Sequence, residues 1–320
     1  MAMTIGDIYK LVVDLGIKNG PRSKSEIKEQ LDAVAEEYKK MDEGKKKYFD
    51  KERLTNPFGD TRVLHGALNL KVKCMMVGVD METPELLLAN EVNKTRTKKI
   101  DMVLAHHPEG HALKALGAVM DLHQDIMGQY GVPENIMEKL MEPHISLINR
   151  SLSPGNYQRP VDAARLLDMP YACFHTASDN MVWNFIKKLI DKKKPKVLGD
   201  ILKVLLEVPE YQGASRVGDM PYIAVGNKKS KVGKIAISGM TGGTEGPETV
   251  YEHLSRAGVG TLIDMHISEK NRKKAEKYHL NVVVASHIAS DSVGMNLLLD
   301  PIERKGVEIV PVSGFIRVKR

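Results

Sequence analysis

The sequence predicts an α/β protein in two halves, each a parallel or mixed sheet with helices on its faces. Three observations predict it. Short apolar runs of strand length alternate with segments of helical period, the texture of β-α-β units. That texture occurs twice, on either side of a lysine-rich joint, DKKKPKVLGD. Finally, 42% hydrophobic residues in a chain of 320, against 28% charged, suffice to bury a sizeable core and exclude global disorder. Residues 1–60 read as a helical N-terminal extension and 61–200 as the first half, with a helical insert over 111–160. Residues 201–320 read as the second half.

In the extension, Ile5, Ile8, Leu11, Val12 and Leu15 recur at helical spacing, and Asn19-Gly20-Pro21 stops that helix. Ser23 with Glu26 makes a capping box before EIKEQLDAVAEEYKKM. The balanced charge of the segment suggests a surface hairpin or an oligomer contact. After the turn Asn56-Pro57-Phe58-Gly59-Asp60 come a strand, KVKCMMVGVD, a helix, TPELLLANEVNKT, with Thr83 as N-cap, and a strand, KIDMVLAHHP. The insert reads as the helices HALKALGAVMDLHQDIMGQYG, PENIMEKLM, ISLINRSL and VDAARLLD, and the strand MPYACF follows. The second half alternates regularly: strand KIAISG, helix PETVYEHLSRAG, strand TLIDMH, helix SEKNRKKAEKYH, strand NVVVAS, helix ASDSVGMNLLLDPIERKG and strand VEIVPVSGF.

Composition excludes several functions. The net charge is +6, from 47 basic and 41 acidic residues, and the lysine runs are scattered without interleaved aromatics. A nucleic-acid footprint is therefore not expected. Two cysteines, Cys74 and Cys173, both in strand-like runs, support neither a disulfide framework nor a cysteine-rich zinc site and read as buried small hydrophobes. The N-terminus lacks a basic region followed by a long apolar one, and no run reaches the roughly 18 to 20 apolar residues of a membrane span. A soluble, cytoplasmic protein without membrane partners is the expectation.

The histidines carry the chemistry. Three apolar strands each run into one: DMVLA into His106-His107-Pro108, PYACF into His175-Thr176-Ala177-Ser178-Asp179, and NVVVAS into His287-Ile288-Ala289-Ser290-Asp291. The last two share the pattern His-x-Ala-Ser-Asp. Ligands of open α/β sheets bind beyond the carboxyl ends of the strands. Histidine and aspartate at i and i+4 share a face once a helical turn begins. Imidazole and carboxylate without thiolate suit Zn, Mn, Fe, Co or Ni, and five such ligands exceed what one tetrahedral ion needs. Two ions sharing a carboxylate would use them all. His266, ending TLIDM, is placed to line the same pocket. His111 lies only four residues past His107. His123 and His144 read as surface or core-edge residues of the insert. The glycine-rich stretch 239–246 joins a strand to a helix and is as consistent with a tight turn as with an anion cradle.

These motifs resemble the NIF-three-like family (NGG-interacting factor three), whose members are called GTP cyclohydrolase 1 type 2 homologues. The shared marks are GVDMETPELL leading to AHHP, HTASD, the glycine-rich turn and HIASD, over residues 61–110 and 165–320. The resemblance implies a dinuclear centre of two divalent metal ions on His106, His107, Asp179, His287 and Asp291, with His175 lining the pocket. It also implies two interlocked α/β halves and a ring-shaped homo-oligomer, commonly a hexamer. Two departures stand out. The family's final acid is usually glutamate, where this chain has Asp291, and Asp264-Met265-His266 replaces a Thr-Gly-Asp. The insert leaves the metal strand directly and could roof the site.

The function expected is a metal-dependent hydrolase acting on a nucleotide or other small phosphorylated or heterocyclic substrate. A metal-bridging hydroxide would attack, and His175 and His266 would be the catalytic proton carriers. The alternative is a non-enzymatic, metal-stabilised oligomeric adaptor that binds another protein. A nucleic-acid-binding ring has only the net charge in its favour.

Overall fold

The computed structural model describes residues 3–320, so the first two residues of the extension lie outside the described residues. A two-residue strand, β1 (Met3–Thr4), leads into α1 (Ile5–Asn19). Thr4 caps α1 through a capping box with Asp7. α2 (Lys24–Lys40) starts at the Ser23–Glu26 box, and α3 (Glu43–Lys46) is one short turn. The surface-hairpin expectation holds only for α2, whose one buried residue is Ile27. α1 is a core helix: Ile5, Ile8 and Val12 are fully buried in a cluster with Met75, Met102 and Phe174. The apolar stripe was visible in the sequence, but it packs on the first sheet and on the helix Thr176–Lys193 rather than on the adjoining helix.

Five strands form the first sheet, in the order β11-β4-β5-β6-β2. They are β2 (Thr61–His65), β4 (Cys74–Gly78), β5 (Met102–Ala105), β6 (Tyr171–Phe174) and β11 (Glu308–Pro311); the two-residue β3 (Lys71–Val72) pairs with β1. β2 was not predicted. It is a short antiparallel edge carrying Arg62 and His65, too polar to stand out by periodicity. Between β4 and β5 lies α4 (Thr83–Val92), whose N-cap is Glu82 rather than Thr83; Glu85 accepts the Glu82 N–H at 2.8 Å.

The insert is helical but divided differently from the expectation. The first predicted helix is three pieces: α5 (Gly110–Lys114), a 3-10 turn over Leu116–Val119, and α6 (Leu122–Gln129). The next two are one helix, α7 (Glu134–Leu152), which continues through Pro143. That proline forfeits one backbone bond, while Met137 and Met141, fully buried on the preceding turns, hold the helix down. α8 (Arg159–Leu166) completes the insert.

After β6 come α9 (Thr176–Lys193), α10 (Leu198–Leu205) and α11 (Pro209–Ser215). A four-stranded sheet follows, in the order β7-β10-β9-β8: β7 (Tyr222–Val225), β8 (Lys234–Gly239), β9 (Val259–Asp264) and β10 (Asn281–Val284). β7, a half-exposed antiparallel edge, was also not predicted. α12 (Val250–Arg256) and α13 (Glu269–Lys277) connect the parallel strands, and α14 (His287–Glu303) leads from β10 to β11.

α9 and α14 are shared between the two cores. Met181 and Met295 belong to the cluster under the first sheet, Val182 and Val293 to the cluster under the second. The helices approach closely, and a Cβ on Gly294 would collide with the Ser178 carbonyl. The Ala-Ser pair of each pentapeptide thus has a packing reason: Ala177, Ser178, Ala289 and Ser290 are all fully buried where the helices begin. Both cysteines are fully buried, as expected.

Candidate metal centre

The parallel strands β5 and β6 are neighbours, so His106-His107 and His175, which follow them, emerge side by side. The His106 and His107 amides donate to the Val79 carbonyl at 3.1 and 2.9 Å, pinning the pair against the end of β4. His287 arrives from the other sheet as the first residue of α14. Its approach requires Ser286 to take a left-handed φ of 73°, which non-glycine residues rarely adopt. The Ser286 hydroxyl donates to Asp219 at 2.7 Å, and its oxygen caps α14 by accepting from the Ala289 N–H. The rings of His106 and His107, of His106 and His175, and of His107 and His287 lie 5.3, 5.0 and 5.3 Å apart.

Two aspartates complete the cluster. His106 Nε2 lies 3.4 Å from both Asp179 Oδ1 and Asp291 Oδ1. His107 Nε2 and His287 Nε2 lie 3.5 and 3.6 Å from Asp291 Oδ2, and His175 Nε2 lies 3.6 Å from Asp179 Oδ2. These separations are too long for good hydrogen bonds. They match the spacing of two donors on one ion, since atoms about 2.1 Å from a tetrahedral centre stand about 3.4 Å apart. Both ring nitrogens of His106, Asp179 Oδ1 and both oxygens of Asp291 are buried without hydrogen-bond partners. His106, His175 and Asp179 form one group that could hold a metal ion, and His106, His107 and Asp291 another. His175, expected to line the pocket and carry protons rather than hold metal, is therefore itself among the possible holders. Asp291 presents Oδ1 to His106 and Oδ2 to His107 and His287, so the shorter acid still faces both sides of the cluster.

An outer layer, missed in the sequence, orients the rings. His175 Nδ1 meets Asp60 at 2.8 Å, and Asp60 also accepts from the Thr176 hydroxyl at 2.7 Å. His107 Nδ1 meets Asp80 at 2.6 Å. A carboxylate on Nδ1 fixes the hydrogen there and aims the Nε2 lone pair inward. Asp60 ends the predicted NPFGD turn and Asp80 follows β4. Their only sequence signal is this position at strand and turn ends.

Burial disfavours charge throughout, and the pairing decides the outcome. Burial alone would lower His106, but Asp291 and Asp179 hold its pKa well above the ordinary imidazole value. His175 is likewise pulled down by burial and raised overall by Asp179 and Asp60. His287 is lowered, because burial outweighs Asp291. Burial would raise Asp291, yet the surrounding imidazoles, His106 foremost, bring it to about 2. Asp264, buried and accepting from the Ser238 hydroxyl at 2.5 Å, is raised to about 7 by that burial.

Beside the cluster opens a cavity of about 380 Å³. His107, His175, Asp179, His266 and His287 line it together with the glycine-rich stretch, Leu116, Met127 and Leu254. His266 is exposed and stacks on His287 at 4.9 Å. The stretch 239–246 is a turn, tied down by the insert: His123 and His144 lie 2.8 Å from the Thr244 and Glu245 carbonyls. His123 is thus fully enclosed rather than peripheral. His111 stands outside the cluster, 3.3 Å from Asp50.

The chain is similar to a solved NIF3 superfamily protein from Sphaerobacter thermophilus. The two are 23% identical, with a TM-score of 0.75 over 98% of this chain and 100% of the other. The chain has the NIF3 fold. It is also similar to reduced HcgD from Methanocaldococcus jannaschii, at 12% identity and a TM-score of 0.51 over 84% of this chain and 94% of that one. Neither a family model nor a curated protein matches the sequence. Among the described residues, no helix is long and apolar enough to cross a membrane.

Proposed function

We propose that this chain is a metal-dependent hydrolase of the NIF-three-like family that holds two divalent ions where the ends of its two sheets meet. His106, His175 and Asp179 would hold one, His107 and His287 the other, with Asp291 between them. The observation that carries this reading is the set of orphaned atoms on His106, Asp179 and Asp291. Leaving several buried acceptors unmet costs about 1–3 kcal/mol each, and cations would remove that cost. When bound, the ions supply the acidity that makes hydroxide available near neutral pH. The chain's residues do the rest. Asp60 and Asp80 keep His175 and His107 in the tautomer that faces inward. The imidazole of His266, at the rim, is placed to carry a proton between the cavity and solvent. The apolar cavity wall keeps bulk water from a small substrate. The family resemblance also supports assembly as a homohexameric ring, which light scattering on the purified chain would test.

Elemental analysis of the purified chain should find two equivalents of metal, and none after His106, His107, Asp179, His287 and Asp291 are replaced together. Fewer than one equivalent in the wild type overturns the dinuclear reading. Metal-dependent hydrolysis within a panel of nucleotides, nucleosides and free heterocycles, abolished by His107→Ala, supports the enzyme. Full metal with no turnover points to the adaptor.

A further inference from the structure

The histidines of the site form a row that grades from buried to open. Their ring centroids step 5.0 Å from His175 to His106, 5.3 Å to His107, 5.3 Å to His287 and 4.9 Å to His266. The side chains of His106 and His175 are 1% and 8% exposed, those of His107 and His287 29% and 38%, and His266 is exposed. The row thus leads from the buried cluster to solvent, and His107, His287 and His266 all border the cavity.

The hold on the rings loosens along the same row. Asp60 meets His175 Nδ1 at 2.8 Å and Asp80 meets His107 Nδ1 at 2.6 Å. Among the described residues neither ring nitrogen of His266 has a hydrogen-bond partner, and the ring rests on His287 with 24° between the two planes. Such an imidazole can turn about its side-chain torsions without breaking a polar contact.

A divalent ion entering the cluster exchanges water for protein donors. A cation that loses its water ahead of those donors meets a steep desolvation cost. A donor at the mouth, one ring spacing from the next, lowers that barrier. Among the described residues no lysine or arginine lines the cavity, so no fixed cation of its walls repels the ion. Imidazole suits Zn or Co in this part, whereas Mg and Ca prefer oxygen.

We propose that His266 is a capture ligand: it takes a cation of the Zn or Co class from solvent, passes it to His287 and has no place in the final shell. The proposal rests on the metal-binding reading above and concerns the rate of entry, not the resting ligand set. Exit retraces entry, so a capture ligand speeds both by the same factor and leaves the affinity nearly unchanged.

Stopped-flow mixing of the full chain, stripped of metal, with Co2+ tests it. The visible absorption that the ion gains on imidazole and carboxylate donors reads entry, and excess chelator then reads exit. His266→Asn should slow both at least about tenfold, with the equilibrium affinity within about threefold and an unchanged melting temperature. His266→Asp, which keeps a donor at the rim, should enter within about threefold of the wild-type rate. The ratio of wild type to His266→Asn should persist in about 1 M salt, where steering by charge is screened. Wild-type entry in His266→Asn, exit that quickens as affinity falls, His266→Asp as slow as His266→Asn, or a ratio lost in high salt would each overturn the proposal. The equivalents bound at saturation test the dinuclear reading separately, because the rates can be read with one ion or two. No uptake at all overturns both.

Discussion

The pentapeptides His175–Asp179 and His287–Asp291 have nearly the same sequence and sit at matching places, the start of a helix after a parallel strand. They are supported differently. His175 is buried, its Nδ1 held by Asp60, and Asp60 is itself anchored by Thr176. His287 is partly open, no carboxylate among the described residues holds its outer nitrogen, and its neighbour is the exposed His266 ring. The carboxylates reverse the pattern. Asp179 faces two histidines of the first sheet, whereas the wholly buried Asp291 faces histidines from both sheets. Sequence repetition thus gives one side of the cluster a fixed ring and the other a central acid. The fixed side suits holding, and the open side suits exchange with the cavity.

The sharpest break of this comparison is at the acids. Asp291→Asn should remove both metal equivalents, while Asp179→Asn should leave one; equal losses, read by elemental analysis, would mean that Asp291 is no more central than its counterpart. Next come the supports. Asp60→Asn should lower metal affinity about 10–100-fold, the usual effect of losing a carboxylate behind a ligating histidine. His266→Asn should change it less than about threefold, because stacking fixes no hydrogen; competition with a fluorescent chelator measures both.

A third prediction uses pH in metal-free protein. His175 is raised above its ordinary value, so its stabilisation is present below about pH 6.5 and fades as pH rises through the raised value. His287 is lowered, so its contribution is present above about pH 6.5 and is lost as pH falls. Urea midpoints of His175→Asn and His287→Asn against wild type should diverge in opposite directions between pH 5 and pH 8. Parallel curves would erase the distinction. The smallest effect concerns Ser286, whose strained φ serves only the His287 side. Ser286→Ala keeps the strain and loses the Asp219 bond, costing about 1–2 kcal/mol. Ser286→Gly relieves the strain and should cost less, as chemical denaturation would register.

Much of this was legible in the sequence because strand-end chemistry is local. Three histidines ending apolar runs, two with an aspartate one helical turn later, are visible without a fold, and the structure brings them together. What stayed hidden is non-local. Asp60 meets His175 across 115 residues, and Asp80 meets His107 across 27. No periodicity links such pairs. β2 escaped because an antiparallel edge tolerates polar residues that blur alternation, and β7 because its four apolar residues are too few to show a period. The burial of α1 escaped because an amphipathic stripe shows that a helix packs without showing against what. PENIMEKLM and ISLINRSL read as two helices, with Pro143 between them, where the buried Met137 and Met141 hold one helix through.

The closing strand has a consequence for how the molecule assembles. β11 returns from the second half to pair with β4, joining segments more than two hundred residues apart. α14, which carries His287 and Asp291, is tethered at one end to one sheet and at the other to its neighbour. The four-stranded sheet is built from residues 222–284 alone, whereas the five-stranded sheet stays incomplete until β11 arrives. Pairing at such separation is slow, so on refolding the capture of cations should lag behind helix formation and coincide with the docking of residues 308–311.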